Sequence, residues 1–180
     1  MSEPTAYELI QKLIVEKCHK STMLANYTPG NWWECDVFQL TQAGYWHEYE
    51  VKVSRSDFFA DKKKSKWGPF VGLKDRREYV TKHEVLELGL TSGPSRFSFV
   101  TPKGLLGIHE LPKWAGLIEG EKTEGNFILL RTVRSAPRIH NEKARDGMYR
   151  RAMNTGYHRY HWQMHGITRQ QICFAEGEGI

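Results

Sequence analysis

Asp36 and, after thirteen intervening residues, the tripeptide Glu50-Val51-Lys52 are the residue types and spacing in this chain best suited to chemistry. The tripeptide lies in residues 45–53 (YWHEYEVKV), whose alternation and content of β-branched and aromatic residues read as a β-strand. Side chains alternate faces along a strand, so Glu48, Glu50 and Lys52 share one face and Tyr49, Val51 and Val53 the other. Two carboxylates and an ammonium on one face of an otherwise apolar strand are costly to bury unless they pair or hold a metal. Residues 33–40 (WECDVFQL) read as a second strand, joined to the first by the short connection 41–44 (TQAG). Strands this close are antiparallel neighbours, so the carboxylates of Asp36 and Glu50 can converge. Two carboxylates, the carbonyl of Val51 and several waters are a set that Mg²⁺ accepts. Lys52 sits about 6–7 Å beyond Glu50 on the same face. From there it can position or help deprotonate a metal-bound water and stabilise charge at phosphorus. The plain alternative is an exposed, salt-bridged strand face, which is worth little to stability. Glu48 is then either a further ligand or a solvated rim residue.

The elements that must position these residues follow from the pattern around them. Residues 4–20 read as a helix, with Ser2 or Thr5 as cap and Ile10, Leu13, Ile14 and Cys18 on one face. Residues 26–31 (NYTPGN) are turn chemistry. Beyond the Glu50 strand, residues 54–57 (SRSD) cap a short basic helix over 58–66. Within it Asp57 and Asp61 cap and pair. Residues 68–73 (GPFVGL) break it, and 75–88 recover a helical pattern that ends at the turn 91–94. Strands follow at 96–101, 114–119 and 127–132, and a polar, aromatic-studded helix over 141–163, with Gly147 or Gly156 as possible breaks. Helix, two hairpin strands, helix, three strands and a last helix predict an α/β or α+β fold, with helices packed on a small mixed sheet.

Composition sets wider bounds. A chain of 180 residues is long enough for one domain with a sizeable core. The formal charge of +5 favours polyanionic partners over acidic ones. Cys18, Cys35 and Cys173 match no zinc ribbon or disulfide framework and point to a reduced, cytoplasmic compartment. The segment MSEPTAYELIQK has no secretory pattern, and no apolar stretch approaches a membrane span.

Basic residues bunch at two places. Arg55, Lys62, Lys63, Lys64 and Lys66 follow the Glu50 strand and can contact phosphates, or form a solvated helix face. Lys82 and His83 can approach the same site from the next helix, although a packed or surface histidine is the simpler reading of His83. In the stretch 149–166 (YRRAMNTGYHRYHWQMHG), Arg150, Arg151, Tyr157, Arg159, Tyr160 and Trp162 can bind phosphate and stack on bases. His158, His161 and His165 share a helical face and, with Cys173, make a weak zinc signal beside the simpler reading of a packing helix.

Cys35-Asp36 followed by Glu50-Val51-Lys52, after an N-terminal helix, resembles the PD-(D/E)xK nuclease superfamily. The run EYEVKVSRSDFFADKKKSKW is similar to phage-type and MmcB-like members, in which an E-[IV]-K strand leads into an S-x-x-D-[FW]-x-x-D segment rich in lysine. Lys82-His83, SRFSFVTPKGLLG and LPKWAGLIE resemble the downstream blocks of the same proteins. The resemblance covers roughly residues 5–140 and implies a restriction-endonuclease-like core there, with 141–180 as a basic, aromatic helical extension of the same domain. It further implies that Asp36, Glu50 and Lys52 form a catalytic triad, that Mg²⁺ or Mn²⁺ is the cofactor, and that the reaction is hydrolysis of DNA phosphodiester bonds. Cys35 stands where the name has proline. A glutamate of the first helix often completes the metal site, for which Glu16 is the first candidate and Glu8 the second. The resemblance places the protein in a phage, mobile-element or bacterial repair setting, in the host cytoplasm if phage-encoded. Two alternatives remain. One is a non-catalytic nucleic-acid-binding protein on a nuclease-like fold. The other is a subunit activated by a partner, as a homodimer or in a nuclease complex.

Overall fold

A computed structural model describes residues 2–67, 79–125 and 127–166. The chain divides into two compact units, Met1–Ala144 and Arg145–Ile180. The first unit is a mixed α/β layer structure. It opens with helix α1 (Ala6–Lys17), which Thr5 caps: its hydroxyl accepts from the Glu8 amide while the Glu8 carboxylate reaches back to the Thr5 amide at 2.7 Å.

Six strands then build one sheet: β1 (Ser21–Tyr27), β2 (Cys35–Thr41), β3 (Trp46–Val51), β6 (Arg96–Pro102), β7 (Ala115–Lys122) and β8 (Ile128–Arg134), hydrogen-bonded in that order. Strands β1, β2 and β3 are antiparallel, β3, β6 and β7 run parallel, and β8 returns antiparallel to β7. The long crossover from β3 to β6 carries helix α2 (Arg55–Asp61), a separate ribbon of β4 (Ser65–Trp67) and β5 (Tyr79–Thr81), and helix α3 (Lys82–Glu87).

The alternation of β3 decides the two faces. Tyr49 and Val51 join Val37, Val100 and Ile118 in a core closed by Leu9 and Leu13 of α1. Gly120 lies beneath that helix, and a Cβ there would run into the end of the Leu9 side chain, so any larger residue would force Leu9 to shift. The opposite face is an aromatic wall: Phe97 and Phe99 stand beside Glu48 and Glu50 in register and pack against Phe58 of α2 and against Trp114. Thus α1 covers one face of the sheet, and α2 and α3 cover the other.

Three expectations need correction. Strand β1 occupies residues 21–25, to which the sequence assigned no element, and 26–27, expected as turn; it is an edge strand, and pairing with β2 overrides its weak local signal. Asn26 ends that reading with φ +48, a left-handed conformation that asparagine tolerates better than most residues. The basic run 62–66 is not helical: the Ser54 hydroxyl accepts from the Asp57 amide and starts α2 at Arg55, so α2 closes at Asp61 and the chain turns into β4. Residues 79–81 form a strand because they pair with 65–67, and the helix begins only at Lys82, behind a Thr81–Glu84 capping box. The expected break at 68–73 and the start of the helix expected at 75 lie outside the described residues. The second unit contributes α4 (Asp146–Met164), which runs without a break through Gly156.

Candidate functional site

Glu48 and Glu50 leave β3 toward the aromatic wall, and Lys52 follows beyond the last strand residue. Its amide still donates to the Val100 carbonyl at 3.0 Å, which keeps it in the register of β6. On β2 the ladder with β3 ends at Val37↔Tyr49, and Asp36 stands one step further, level with Glu50. The β1 register sets the left-handed Asn26 across from Asp36 on its other side. The Val51 amide donates to Asp36 Oδ2 at 2.7 Å, so Asp36 is fixed at the end of the strand pair that carries Glu50.

Their electrostatics differ sharply. Glu50 is buried, and Lys52 and Lys64 reach its Oε1 at 2.8 and 3.0 Å while Lys82 reaches Oε2 at 2.8 Å. Burial alone would raise its pKa; the ammoniums of Lys82 and Lys52 outweigh burial and hold it below the usual carboxylate range. Asp36 has no ammonium or guanidinium in ion-pair reach among the described residues. Burial, reinforced by the charge of Glu50, pushes its carboxyl up to about 6, and the Val51 amide offsets only part of this. Asp36 is therefore a carboxylate short of a cation.

Around Glu50 lies a wider network that the sequence reading left incomplete. Asp61, the last residue of α2, is fully buried and meets Lys64 at 2.9 Å, Lys52 at 3.2 Å and His83 Nε2 at 3.1 Å. Burial works against its charge, but the His83 hydrogen bond and the charges of Lys82 and Lys52 hold it well below the ordinary aspartate range. Glu48 accepts from Trp32 Nε1 at 2.5 Å and touches Lys82 with its other oxygen. Its deep burial pushes the carboxyl up to about 7 in spite of Lys82. Far from a solvated rim residue, Glu48 is fully buried. Burial opposes the charges of Lys52 and Lys82 as well, but the facing carboxylates outweigh it and raise both above the ordinary lysine range. Glu48, Glu50 and Asp61 thus face Lys52, Lys64 and Lys82, three charges against three, and Asp36 stands outside that balance. Asp57, half exposed, is a further 3.6 Å partner of Lys52.

Several sequence-predicted site residues lie elsewhere. Glu16 is at the surface in a 3.1 Å pair with Lys12, on a helix that covers the opposite face of the sheet, and Glu8 is committed to Thr5 and Lys122. No carboxylate of α1 joins Asp36 and Glu50. Lys82 and His83 are part of the buried network rather than phosphate contacts. Arg55 clamps Glu110 through both guanidinium nitrogens and also donates to the Leu105 carbonyl. Lys66 donates to the Trp32 carbonyl at 2.8 Å. Lys62, beside the rings of Phe58 and Phe59, and Lys63 remain exposed. Trp32 and the buried role of Asp61 are what the spacing missed, whereas Lys82 does approach the site, as a buried partner of Glu48 and Glu50. Their only signal was the shared face of Glu48 and Glu50, which demands buried partners from somewhere.

No protein family and no curated protein matches the chain. Over its whole length the chain is similar in fold to a protein of unknown function from Silicibacter pomeroyi, with 18% identity, a TM-score of 0.57, and coverage of 100% of this chain and 99% of the other. That likeness is one of fold alone. No helix among the described residues is long and apolar enough to cross a membrane.

The donor set bears on a metal directly. Among the described residues no three His, Cys, Asp or Glu side chains are gathered as a ready cation cage, and Cys173 of the zinc signal lies outside them. Two hard carboxylates with one of them uncompensated suit Mg²⁺, which keeps several waters and needs few protein ligands. On that chemistry Asp36 and Glu50, with the Val51 carbonyl, fit a divalent ion only where the ion displaces an ammonium from Glu50, both of whose oxygens carry one. The Cys35 thiol beside them is buried, which raises its pKa and leaves it unreactive.

Proposed function

We propose that the Asp36–Glu50–Lys52 site hydrolyses DNA phosphodiester bonds with Mg²⁺ or Mn²⁺, on a restriction-endonuclease-like core. The observation that carries this reading is the charge of Asp36, without an ion-pair partner among the described residues, level with Glu50 and two residues short of Lys52. The motif resemblance of residues 36–67 supports it independently. Asp36 and Glu50 would hold the ion, with the Val51 carbonyl as the remaining protein ligand. Bound there, a divalent cation supplies Lewis-acid activation of water and neutralises charge at phosphorus.

The residues of the chain have distinct parts. Lys52 is buried and remains an ammonium because Glu50 and Asp61 face it, so its contribution is electrostatic: it sets positive charge beside the reacting phosphate and does not remove a proton. Asp61 and Glu50 fix its position. Lys82, anchored by Glu48, holds Glu50 Oε2 in place from the buried side. Lys64 is the half-exposed ammonium on Glu50 Oε1 and is the one that can swing into solvent, which leaves Lys52 as the remaining ammonium on that oxygen.

The test is cleavage of circular single- and double-stranded DNA in Mg²⁺, Mn²⁺ or EDTA by wild type and Lys52→Ala. Metal-dependent cutting that falls by orders of magnitude in the variant is expected. Equal cutting by both proteins contradicts the mechanism.

A second reading has one observation in its favour. Both oxygens of Glu50 are occupied by ammoniums, so the network is closed without any added ion. On that reading the chain binds nucleic acid without cutting it, alone or until a partner engages. DNA binding that survives Asp36→Asn, with no cleavage under any metal, is its signature.

A further inference from the structure

Helix α4 carries five large side chains, Tyr149, Met153, Tyr157, Tyr160 and Met164, spaced four, four, three and four residues apart. At about 100° per residue they fall within an arc of roughly 80°. All five are exposed, from 44% at Met153 to 64% at Met164. A stripe of this kind calls for a partner.

The chemistry of the helix chooses among partners. Arg150, Arg151 and Arg159 stand against Asp146 as its one acidic residue, so the helix is basic. Arg150 flanks the stripe, and the His161 ring lies 4.3 Å from that of Tyr157. Like charges oppose the pairing of this face with a second copy of itself. The stripe holds two Met but no Leu, Ile, Val, Phe or Trp, and three of its five members are phenols, so it is a poor face to bury in a lipid surface. Phenol rings in series beside arginines are instead the combination that grips a single strand, with bases stacked on the rings and phosphates on the cations.

We infer that this face of α4 binds single-stranded DNA, with Tyr149, Tyr157 and Tyr160 as stacking platforms and Arg150 as a phosphate contact. The choice of DNA rests on the reading of the Asp36–Glu50–Lys52 site; the stacking surface itself does not. Tyr149 and Tyr160 are eleven residues apart, about 16 Å along the axis, which is room for several nucleotides.

The experiment is fluorescence anisotropy of the full chain in EDTA, with a short labelled single-stranded DNA, the RNA of the same sequence and the duplex. Tyr157→Ala/Tyr160→Ala should weaken single-strand binding by roughly tenfold per ring lost. Tyr157→Phe/Tyr160→Phe, which keeps the ring faces, should bind within about twofold of wild type. Unchanged affinity in the alanine pair overturns the inference. So does tighter binding of the RNA, and so does a wild-type dimer that the alanine pair splits with DNA binding intact. Tyrosine-dependent binding by a protein that cuts nothing removes the hydrolysis reading alone. Metal-dependent cutting beside unchanged binding in the alanine pair removes this inference alone.

Discussion

Asp36 and Glu50 lie at the ends of neighbouring strands, yet their surroundings push their protons in opposite directions. Asp36 titrates at about 6 and Glu48 at about 7, both raised by burial, so each contributes stability at low pH that is lost as pH rises through those values. Glu50 and Asp61 are depressed, so their contribution is present above the ordinary carboxylate range and disappears as pH falls below it. Burial also lowers the His47 imidazole to about 3, which favours folding as pH rises toward 6.5 and offsets part of this loss. Stability of the metal-free protein should therefore be greatest near pH 5 and decline modestly to about pH 7, as read by urea unfolding across that range. Asp36→Asn keeps an acceptor for the Val51 amide and removes the charge; it should recover on the order of 2 kcal/mol at pH 7.5 and flatten the decline. The Lys82 network gives a second contrast. Glu48→Gln keeps an acceptor for Trp32 and should cost about 1 kcal/mol or less at pH 7. Lys82→Met leaves Glu48 and Glu50 buried with one ammonium fewer and should cost about 3–5 kcal/mol in the same melts.

The elements show why some of this was legible and some was not. The alternation of residues 45–53 announced that Glu48, Glu50 and Lys52 share a face, and the short 41–44 connection brought Asp36 alongside. Both are local facts, and both elements are seen. Strand β1 was hidden because its sequence STMLANY has no clean alternation and it forms only against β2. The β4–β5 ribbon was hidden for a similar reason: each strand has three residues, and each exists through the other. That ribbon leads directly into α3 and its Lys82, whose amide donates to the Lys64 carbonyl, so the burial of Lys82 could not be read from its neighbours in sequence. At this scale the two faces of the sheet should be separable. Leu13→Ala, on the α1 side, should cost about 2–5 kcal/mol and leave Mg²⁺ response intact. Thr81→Ala, which removes the cap of α3, should cost only about 1 kcal/mol yet loosen Lys82, visible as faster amide exchange over 82–87.

For the whole molecule the balance of charge links the two ideas. The chain carries a formal +5, and several of its cations are consumed inside the sheet by Glu48, Glu50 and Asp61. The cations left at the surface, Lys62, Lys63 and Arg150 among them, are those available to a polyanion. Binding of single-stranded DNA in EDTA should weaken by roughly 10–100-fold between 50 and 200 mM salt, the slope expected for a few phosphate contacts. That dependence should be the same in Asp36→Asn, since Asp36 touches no phosphate. The most direct test of the central claim, that Asp36 is a carboxylate short of a cation, is thermal unfolding of wild type and Asp36→Asn at pH 7.5 with and without Mg²⁺. The account expects the variant to melt above wild type without metal. It expects saturating Mg²⁺ to raise the wild type by about 5 °C and the variant hardly at all. A variant that melts below the wild type, with neither protein responding to Mg²⁺ or Mn²⁺, would contradict it.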